Sequence, residues 1–412
     1  MAMTSGTTTG LLKIPAYLVV LITRVVSSCA IWIDFVLIFS LASYFWHSTP
    51  TTVGATAALY GLPGLLIGPF IGRLADRTSP VKVLYISYVA RGLTSIGLAF
   101  APSWELFLLF VFFKGVSNLA ATPAEQILLK LSLKDAQIAS GVSFLAVVDQ
   151  VVKIGAPLIA ATMAQFFFAQ SGFLFSAVLA IIGMLILLMF SLFSKAFATA
   201  ECTVSKPIRF RLLLATIHKN FFLKLAFYVA LTQSLILGIY DPLLALLLKQ
   251  LGFTSGSFGV IVSCTASGGI IGAIIFRKYL SSFNPIILTA ASLCGFGFTV
   301  FVPGAIYLAG FTPPMALLCF LWVFNGAFYA ISALFFVTTM QKQCAVEIIG
   351  TVSASARSIM ISVMVIGPII GSWLASFTSI GFVFFASGFL AISSGICLLI
   401  SPRFKSVLSK TA

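Results

Sequence analysis

Seven ionisable residues stand inside stretches that are otherwise apolar: Arg24, Asp34, Lys114, Asp149, Lys153, Asp241 and Arg357. At the centre of a bilayer each would cost roughly 2.5–3.5 kcal/mol if it faced hydrocarbon. The set therefore demands pairing, water, or both, and charges of this kind mark a substrate or ion pathway. The chemistry open to it is proton exchange and the holding of a charged solute. A carboxylate's grip on its proton depends on whether apolar walls or a cation surround it. A carboxylate–cation pair whose surroundings alternate can thus load and unload a proton.

Asp34 is the candidate proton-coupling carboxylate, with Lys114 as its partner. Asp34 lies eleven residues before Phe45 and Lys114 eleven residues after Ser103. At 1.5 Å per residue both sit about 16 Å below the same surface, near the midplane. Lys153 is at similar depth. Asp149 and Lys153, four apart, share one helical face and are expected to pair. Arg24 lies deeper toward the other surface, within reach of Asp149. Two alternatives remain for Asp34: a permanent salt bridge to Lys114 that fixes packing, or substrate contact alone. Asp241-Pro242 is expected to break its helix into a bent gating element. Arg24, Asp149, Lys153, Asp241, Asn325 and Arg357 are the expected substrate-cavity residues. Arg91 is expected to snorkel or to pack against a neighbour.

Other constellations are missing. No GxxxxGK[ST] phosphate loop occurs, and the seven cysteines form no CxxC pair. His47 and His218 are far apart and read as interfacial polar residues. No nucleophile–base or metal arrangement has plausible spacing. The expectation is a non-enzyme without cofactor or metal.

These charges must be positioned by membrane helices. Of 412 residues 60% are hydrophobic and only 8% charged, with mean hydropathy +1.15. A soluble domain carries about 25% charged residues, so this is a polytopic membrane protein. Spans fall at roughly 15–45, 52–74, 82–101, 104–129, 136–168 and 172–194, then 221–248, 255–276, 284–310, 313–339, 347–377 and 380–401. Eighteen of the 24 basic residues lie in one set of loops, and only Lys249 in the other. The excess places both termini in the cytoplasm. Basic tracts between apolar runs, without interleaved stacking aromatics, exclude nucleic acid. The expected domains are a six-helix bundle over 1–194, a cytoplasmic linker over 195–220, and a second six-helix bundle over 221–412.

The halves repeat. At offsets of 204–212, Asp34 falls on Asp241, Arg73 on Arg277, and Lys114-Gly115 on Asn325-Gly326. Gly64, Gly68 and Gly72, with Gly268 and Gly272, and Gly367 and Gly371, are spaced for close helix approach and are expected at a rocking interface between the halves.

The run Gly72-Arg73-Leu74-Ala75-Asp76-Arg77-Thr78-Ser79-Pro80-Val81-Lys82 resembles the cytoplasmic signature of the major facilitator superfamily. Ser79 stands where that family has glycine, and Pro80 where it has a basic residue. Lys114-Gly115 with Pro123, and Gly155-Ala156-Pro157, resemble two further family elements. The run from Trp32-Ile33-Asp34 through Asp76-Arg77 looks most like the branch of enterobactin exporters and macrolide efflux proteins. The resemblance implies an all-α membrane protein of twelve helices in two pseudo-symmetric six-helix bundles, and a cytoplasmic gate at Gly72, Asp76, Arg77, Lys82 and Glu125. It implies a secondary transporter of the cytoplasmic (inner) membrane, a monomer whose partners are protons, the lipid bilayer and a small molecule.

The seven charges sum to four positive and three negative, which favours an anionic or zwitterionic substrate. The leading expectation is a proton-coupled exporter of a small amphiphilic or siderophore-like molecule. The alternatives are a proton-coupled importer of an organic anion or metal chelate and, from another class, a lipid flippase or a transport-inactive scaffold.

Overall fold

The computed structural model describes residues 11–46, 49–67, 79–119, 121–133, 135–166, 169–193, 217, 220–280, 283–344 and 346–400. The fold is all-α, with twelve membrane-crossing runs in two pseudo-symmetric six-helix bundles. The first six runs are α1 (Pro15–Tyr44), α2 (Pro50–Leu66), α3 (Pro80–Ala99), α4 (Trp104–Leu119) continued by α5 (Ala121–Ser132), α6 (Asp135–Phe166) and α7 (Ala169–Phe193). The second six begin with α8 (Phe221–Tyr240), which a 3₁₀ turn at Asp241–Leu243 joins to α9 (Leu244–Gln250). Then come α10 (Ser257–Ile275) with a π-helical end at Phe276–Leu280, α11 (Pro285–Leu308), α12 (Met315–Gln343), α13 (Val346–Phe377) and α14 (Ile380–Ile400). Among the described residues nine runs are each long and apolar enough to cross a membrane on their own.

Local sequence explains the boundaries. Prolines open α2, α3 and α11, where the missing N–H has no helical partner to lose. Asn220 caps α8 by accepting from the Leu223 N–H. Gly252 and Gly310 take φ of 83° and 80°, a backbone that side-chain-bearing residues avoid, in the turns that end α9 and α11. The expected break at Asp241-Pro242 is present as the 3₁₀ turn, since proline cannot donate to the preceding turn.

Two compact units result: Met1–Leu41 with Leu59–Ser205, and Ala42–Ala58 with Lys206–Ala412. The linker expected over 195–220 lies almost wholly outside the described residues. Each unit repeats the same helix pairings. In the first, the Tyr17 hydroxyl of α1 donates to the Gly141 carbonyl of α6 at 3.0 Å. Gly115 of α4 rests on the Tyr60 carbonyl of α2, and Gly183 of α7 on the Tyr88 ring of α3. In the second, Gly367 and Gly371 of α13 meet the backbone of Gly238 and Ile239 on α8. Gly268 and Gly272 of α10 abut the backbone of Val323 and Ala327 on α12, and Gly388 of α14 that of Phe301 on α11.

This corrects one expectation. The glycine pairs at 268/272 and 367/371 close helix pairs inside the second unit, because four-residue spacing lets two backbones touch wherever a bundle needs them closest. Gly68 and Gly72 lie outside the described residues.

A leucine at Gly272 would drive its side chain into the Ala327 backbone, whereas Gly269 has only the Gly326 carbonyl oxygen, 4.0 Å from where a Cβ would stand. Gly272→Leu is expected to destabilise the purified protein by about 1–3 kcal/mol, and Gly269→Ala to leave it near wild type. Thermal unfolding followed by size-exclusion chromatography measures both.

Candidate functional site: a buried charge network in the first unit

Helix α1 carries the network on two faces. Thr23, Ser27, Ala30 and Asp34 recur at three- and four-residue steps toward α3 and α7, while Arg24 and Ser28 project toward α5 and α6. Two charged nodes form along this one helix.

The upper node is dry. Asp34 is 0% exposed and Lys114 1%, and Lys114 Nζ forms an ion pair with Asp34 Oδ2. The same oxygen accepts from Ser176 Oγ of α7 at 2.8 Å and from Ser95 Oγ of α3 at 3.1 Å. Lys114 Nζ also donates to Ser95 Oγ at 2.6 Å and to the Arg91 carbonyl at 3.2 Å. Four helices therefore converge on one carboxylate oxygen. The other, Oδ1, has no hydrogen-bond partner among the described residues. The expected pairing is present, and both groups are buried within the unit.

The lower node is partly exposed. Arg24 holds Asp149 in a two-pronged grip, Nε to Oδ1 at 3.1 Å and Nη2 to Oδ2 at 3.0 Å, and its Nη1 pairs with Glu125 Oε2. Ser28 adds a bond to Asp149 Oδ1 at 3.2 Å. The side chains of Arg24 and Asp149 remain 27% and 23% exposed, and Glu125 is buried. Arg24 was expected within reach of Asp149 and meets it. The expected Asp149–Lys153 pair gives way to this contact, because a guanidinium offers a planar fork matched to a carboxylate. Lys153 instead places its ammonium 5.8 Å from the centre of the Trp32 ring. Glu125, expected with the cytoplasmic gate, is a partner of Arg24.

Arg91 joins the nodes. It neither snorkels nor faces lipid: at 1% exposure it is among the largest buried side chains. Its Nη1 donates to Ser27 Oγ, and its guanidinium lies 5.9 Å from the Tyr88 ring centre. Nε and Nη2 have no partner among the described residues. Of the two alternatives the sequence leaves for Arg91, snorkelling and packing against a neighbour, the structure shows the second.

In the second unit the corresponding residues form a neutral copy. Asn325 falls on Lys114 in the repeat, and Thr299 on Ser95 at the offset of 204. Asn325 Nδ2 donates to Thr299 Oγ1 at 2.9 Å, the counterpart of the Lys114–Ser95 bond. The Tyr240 hydroxyl donates to Asn325 Oδ1 at 3.3 Å. Asn325, expected on a cavity wall, is thus a core residue at 2% exposure. Asp241 is half-buried at the 3₁₀ turn. Gly72, Asp76 and Arg77, and the Arg357 side chain, lie outside the described residues; Lys82 is exposed in the first turn of α3.

Removing one partner of a buried ion pair strands the other, at a cost of about 3–5 kcal/mol, while apolar or neutral replacement of both is far milder. Lys114→Ala is therefore expected to lower the thermal midpoint sharply, and Asp34→Asn/Lys114→Met to recover most of the loss. Unfolding of the single and double variants in detergent gives the comparison.

Residues 20–354 match the family described as Major Facilitator Superfamily. The uncharacterized MFS-type transporter YfiS of Bacillus subtilis (strain 168) is 24% identical over 394 residues, covering 93% of this chain and 92% of YfiS. The nucleoside transporter NupG shares the fold with a TM-score of 0.75 at 14% identity, over 93% of this chain and 98% of that one. A POT family transporter in complex with 5-aminolevulinic acid does so with a TM-score of 0.74 at 12% identity, over 94% and 96%. With its family matched over most of its length, the chain belongs to the Major Facilitator Superfamily and is a multi-pass, membrane-embedded secondary transporter.

Proposed function

We propose that this transporter is a proton-coupled exporter of a small amphiphilic or siderophore-like organic molecule, of the branch that includes enterobactin exporters and macrolide efflux proteins. It works by alternating access in the cytoplasmic (inner) membrane, as a monomer with both termini in the cytoplasm. Its bundles span 1–194 and 221–412, joined by the linker 195–220. Asp34 is the coupling carboxylate and Lys114 its counter-ion. Arg24, Asp149 and Lys153 handle the charged part of the substrate with Asp241 and Arg357. Gly72, Asp76, Arg77 and Lys82 act as the cytoplasmic latch.

The observation that carries this reading is the convergence of α1, α3, α4 and α7 on Asp34 Oδ2. A proton on Asp34 would neutralise the carboxylate and leave the Lys114 ammonium with only Ser95 and a carbonyl in a dry site. A buried charge without its counter-ion is costly, so protonation favours a rearrangement of those four helices that rehydrates or re-pairs the lysine. A two-state bundle biased by one proton is what coupling requires. Across both nodes the cations Arg24, Arg91, Lys114 and Lys153 outnumber the carboxylates Asp34, Glu125 and Asp149, which favours an anionic or zwitterionic solute.

Reconstituted protein under an imposed pH gradient tests the reading with labelled chelates and amphiphilic drugs. Export moves substrate opposite to protons; movement with protons would replace the exporter by an importer, and relocation of labelled lipid alone would point to a flippase. Asp34→Asn is expected to lower gradient-driven flux roughly tenfold or more, the equivalent of about 1.4 kcal/mol. Exchange of labelled for unlabelled substrate, which needs no net proton movement, should persist. Gradient-driven flux unchanged in Asp34→Asn would remove that residue from coupling.

A further inference from the structure

Helices α10 and α12 of the second unit meet in a regular register. Gly268 abuts Val323 and Gly272 abuts Ala327, each at an offset of 55 residues. Equal offsets one turn apart mean that the two helices run in the same direction and in step. One turn earlier, the same offset pairs Cys264 of α10 with Cys319 of α12. The glycines decide what those cysteines can do. A Cβ at either glycine would overlap the facing backbone, so the helices approach more closely than the interaxial distance of about 8–10 Å usual for packed helices. A disulfide needs Cα atoms within roughly 7 Å of each other, and side-by-side helices supply that only when they are packed this tightly.

The side chains follow the register. The two thiols are hydrogen-bonded to each other across the helix pair. Both cysteines are free and half-buried. Cys264 lies seven residues into α10 and Cys319 four residues into α12, about 10 Å and 6 Å from the starts of their helices. That level is within reach of a small uncharged reagent. Zinc would need four ligands at a structural site, and among the described residues no group of three or more His, Cys, Asp or Glu is placed to hold a metal ion. The chemistry open to two adjoining thiols is closure to a disulfide.

We propose that Cys264 and Cys319 form a dithiol modification site, closed by exchange with a low-molecular-weight disulfide into an intramolecular bond that staples α10 to α12. The first thiol loses its proton and attacks the small disulfide, breaking its S–S bond, forming a mixed disulfide and releasing one small thiol. The second cysteine then attacks the protein sulfur of that mixed disulfide and expels the other small thiol. Two protein S–H bonds are lost and one S–S bond is formed. The two electrons reduce one small disulfide to two thiols. Neither cysteine belongs to the charge network, so the site stands apart from the exporter reading.

The full chain in lipid nanodiscs, treated briefly with the neutral reagent 4,4′-dithiodipyridine, tests the site. After removal of the reagent and blocking with N-ethylmaleimide, non-reducing peptide mass mapping locates each cysteine. The peptide linking Cys264 to Cys319 should be at least about tenfold more abundant than in protein unfolded in sodium dodecyl sulfate before treatment, because the fold raises the effective concentration of one thiol at the other. In Cys264→Ser, Cys319 should retain the thiopyridyl group, with no second thiol to expel it. The linked protein should unfold at a midpoint higher by roughly 5 °C or more, and dithiothreitol should reverse the rise. Separate thiopyridyl or maleimide adducts at both cysteines without a link would overturn the site. So would a link no more abundant in native than in unfolded protein. An unchanged midpoint in linked protein would refute the staple.

Discussion

The fold depends on a single constraint: charge placed in an apolar bundle must be answered by charge or by hydrogen bonds within the bundle. Asp34 shows how much structure one answer recruits. Its Oδ2 gathers an ammonium from α4, a hydroxyl from α3 and a hydroxyl from α7, all onto α1. None of these partners is near Asp34 in sequence, so the carboxylate is satisfied only when the four helices are at their native separation. The same contact that makes the charge tolerable therefore sets the geometry of the first unit. Any event that alters the charge acts on all four helices together.

The internal repeat sharpens this. Both units use the same helix pairings, with described glycines at several of the closest approaches. At equivalent places the first unit has Lys114 on Ser95 and the second has Asn325 on Thr299. The hydrogen bond is retained while the charge is removed. An asparagine there satisfies the packing without a counter-ion, and the tyrosine hydroxyl from α8 supplies the second contact. The Lys114–Ser95 position is thus a shared structural joint, to which the first unit adds ionic chemistry. That asymmetry is why proton handling is assigned to the first unit.

Much of this was legible in the chain before any fold was in hand, for a physical reason. Depth along a membrane helix is a matter of counting, and counting put Asp34 and Lys114 at one level. The break at Asp241-Pro242 followed from proline's missing donor. What counting could not supply was azimuth and competition. Asp149 and Lys153 share a helical face, but Arg24 outcompetes the lysine because its fork fits the carboxylate in two places at once. For Arg91 the sequence left snorkelling and packing against a neighbour both open, because only the placement of Ser27 and Tyr88 shows a polar slot deep in the unit. The glycines of α10 and α13 announce close approach by their spacing, but not which helix approaches. Asn325 gave no sign of being a core residue, since asparagine suits a wet cavity as well as a buried hydrogen bond.

Arg91 also shows how the dry and partly exposed nodes are related on the proposed mechanism. Buried in the same unit as Asp34 and Glu125, it forms a salt bridge with neither among the described residues, and two of its nitrogens have no partner there. A buried cation without a salt bridge responds to the charge state of the carboxylates around it. Neutralising Asp34 would remove one such charge and leave that of Glu125, which Arg24 already shares. Arg24 in turn holds Asp149, the more exposed carboxylate. A proton arriving at the dry end would thereby redistribute attraction along α1 toward the more exposed end, through side chains already in place. A network of alternating sign along one helix can carry such a signal without moving a charge through the hydrocarbon. That is the physical advantage of keeping seven charged groups in one unit instead of pairing them off at the membrane surface.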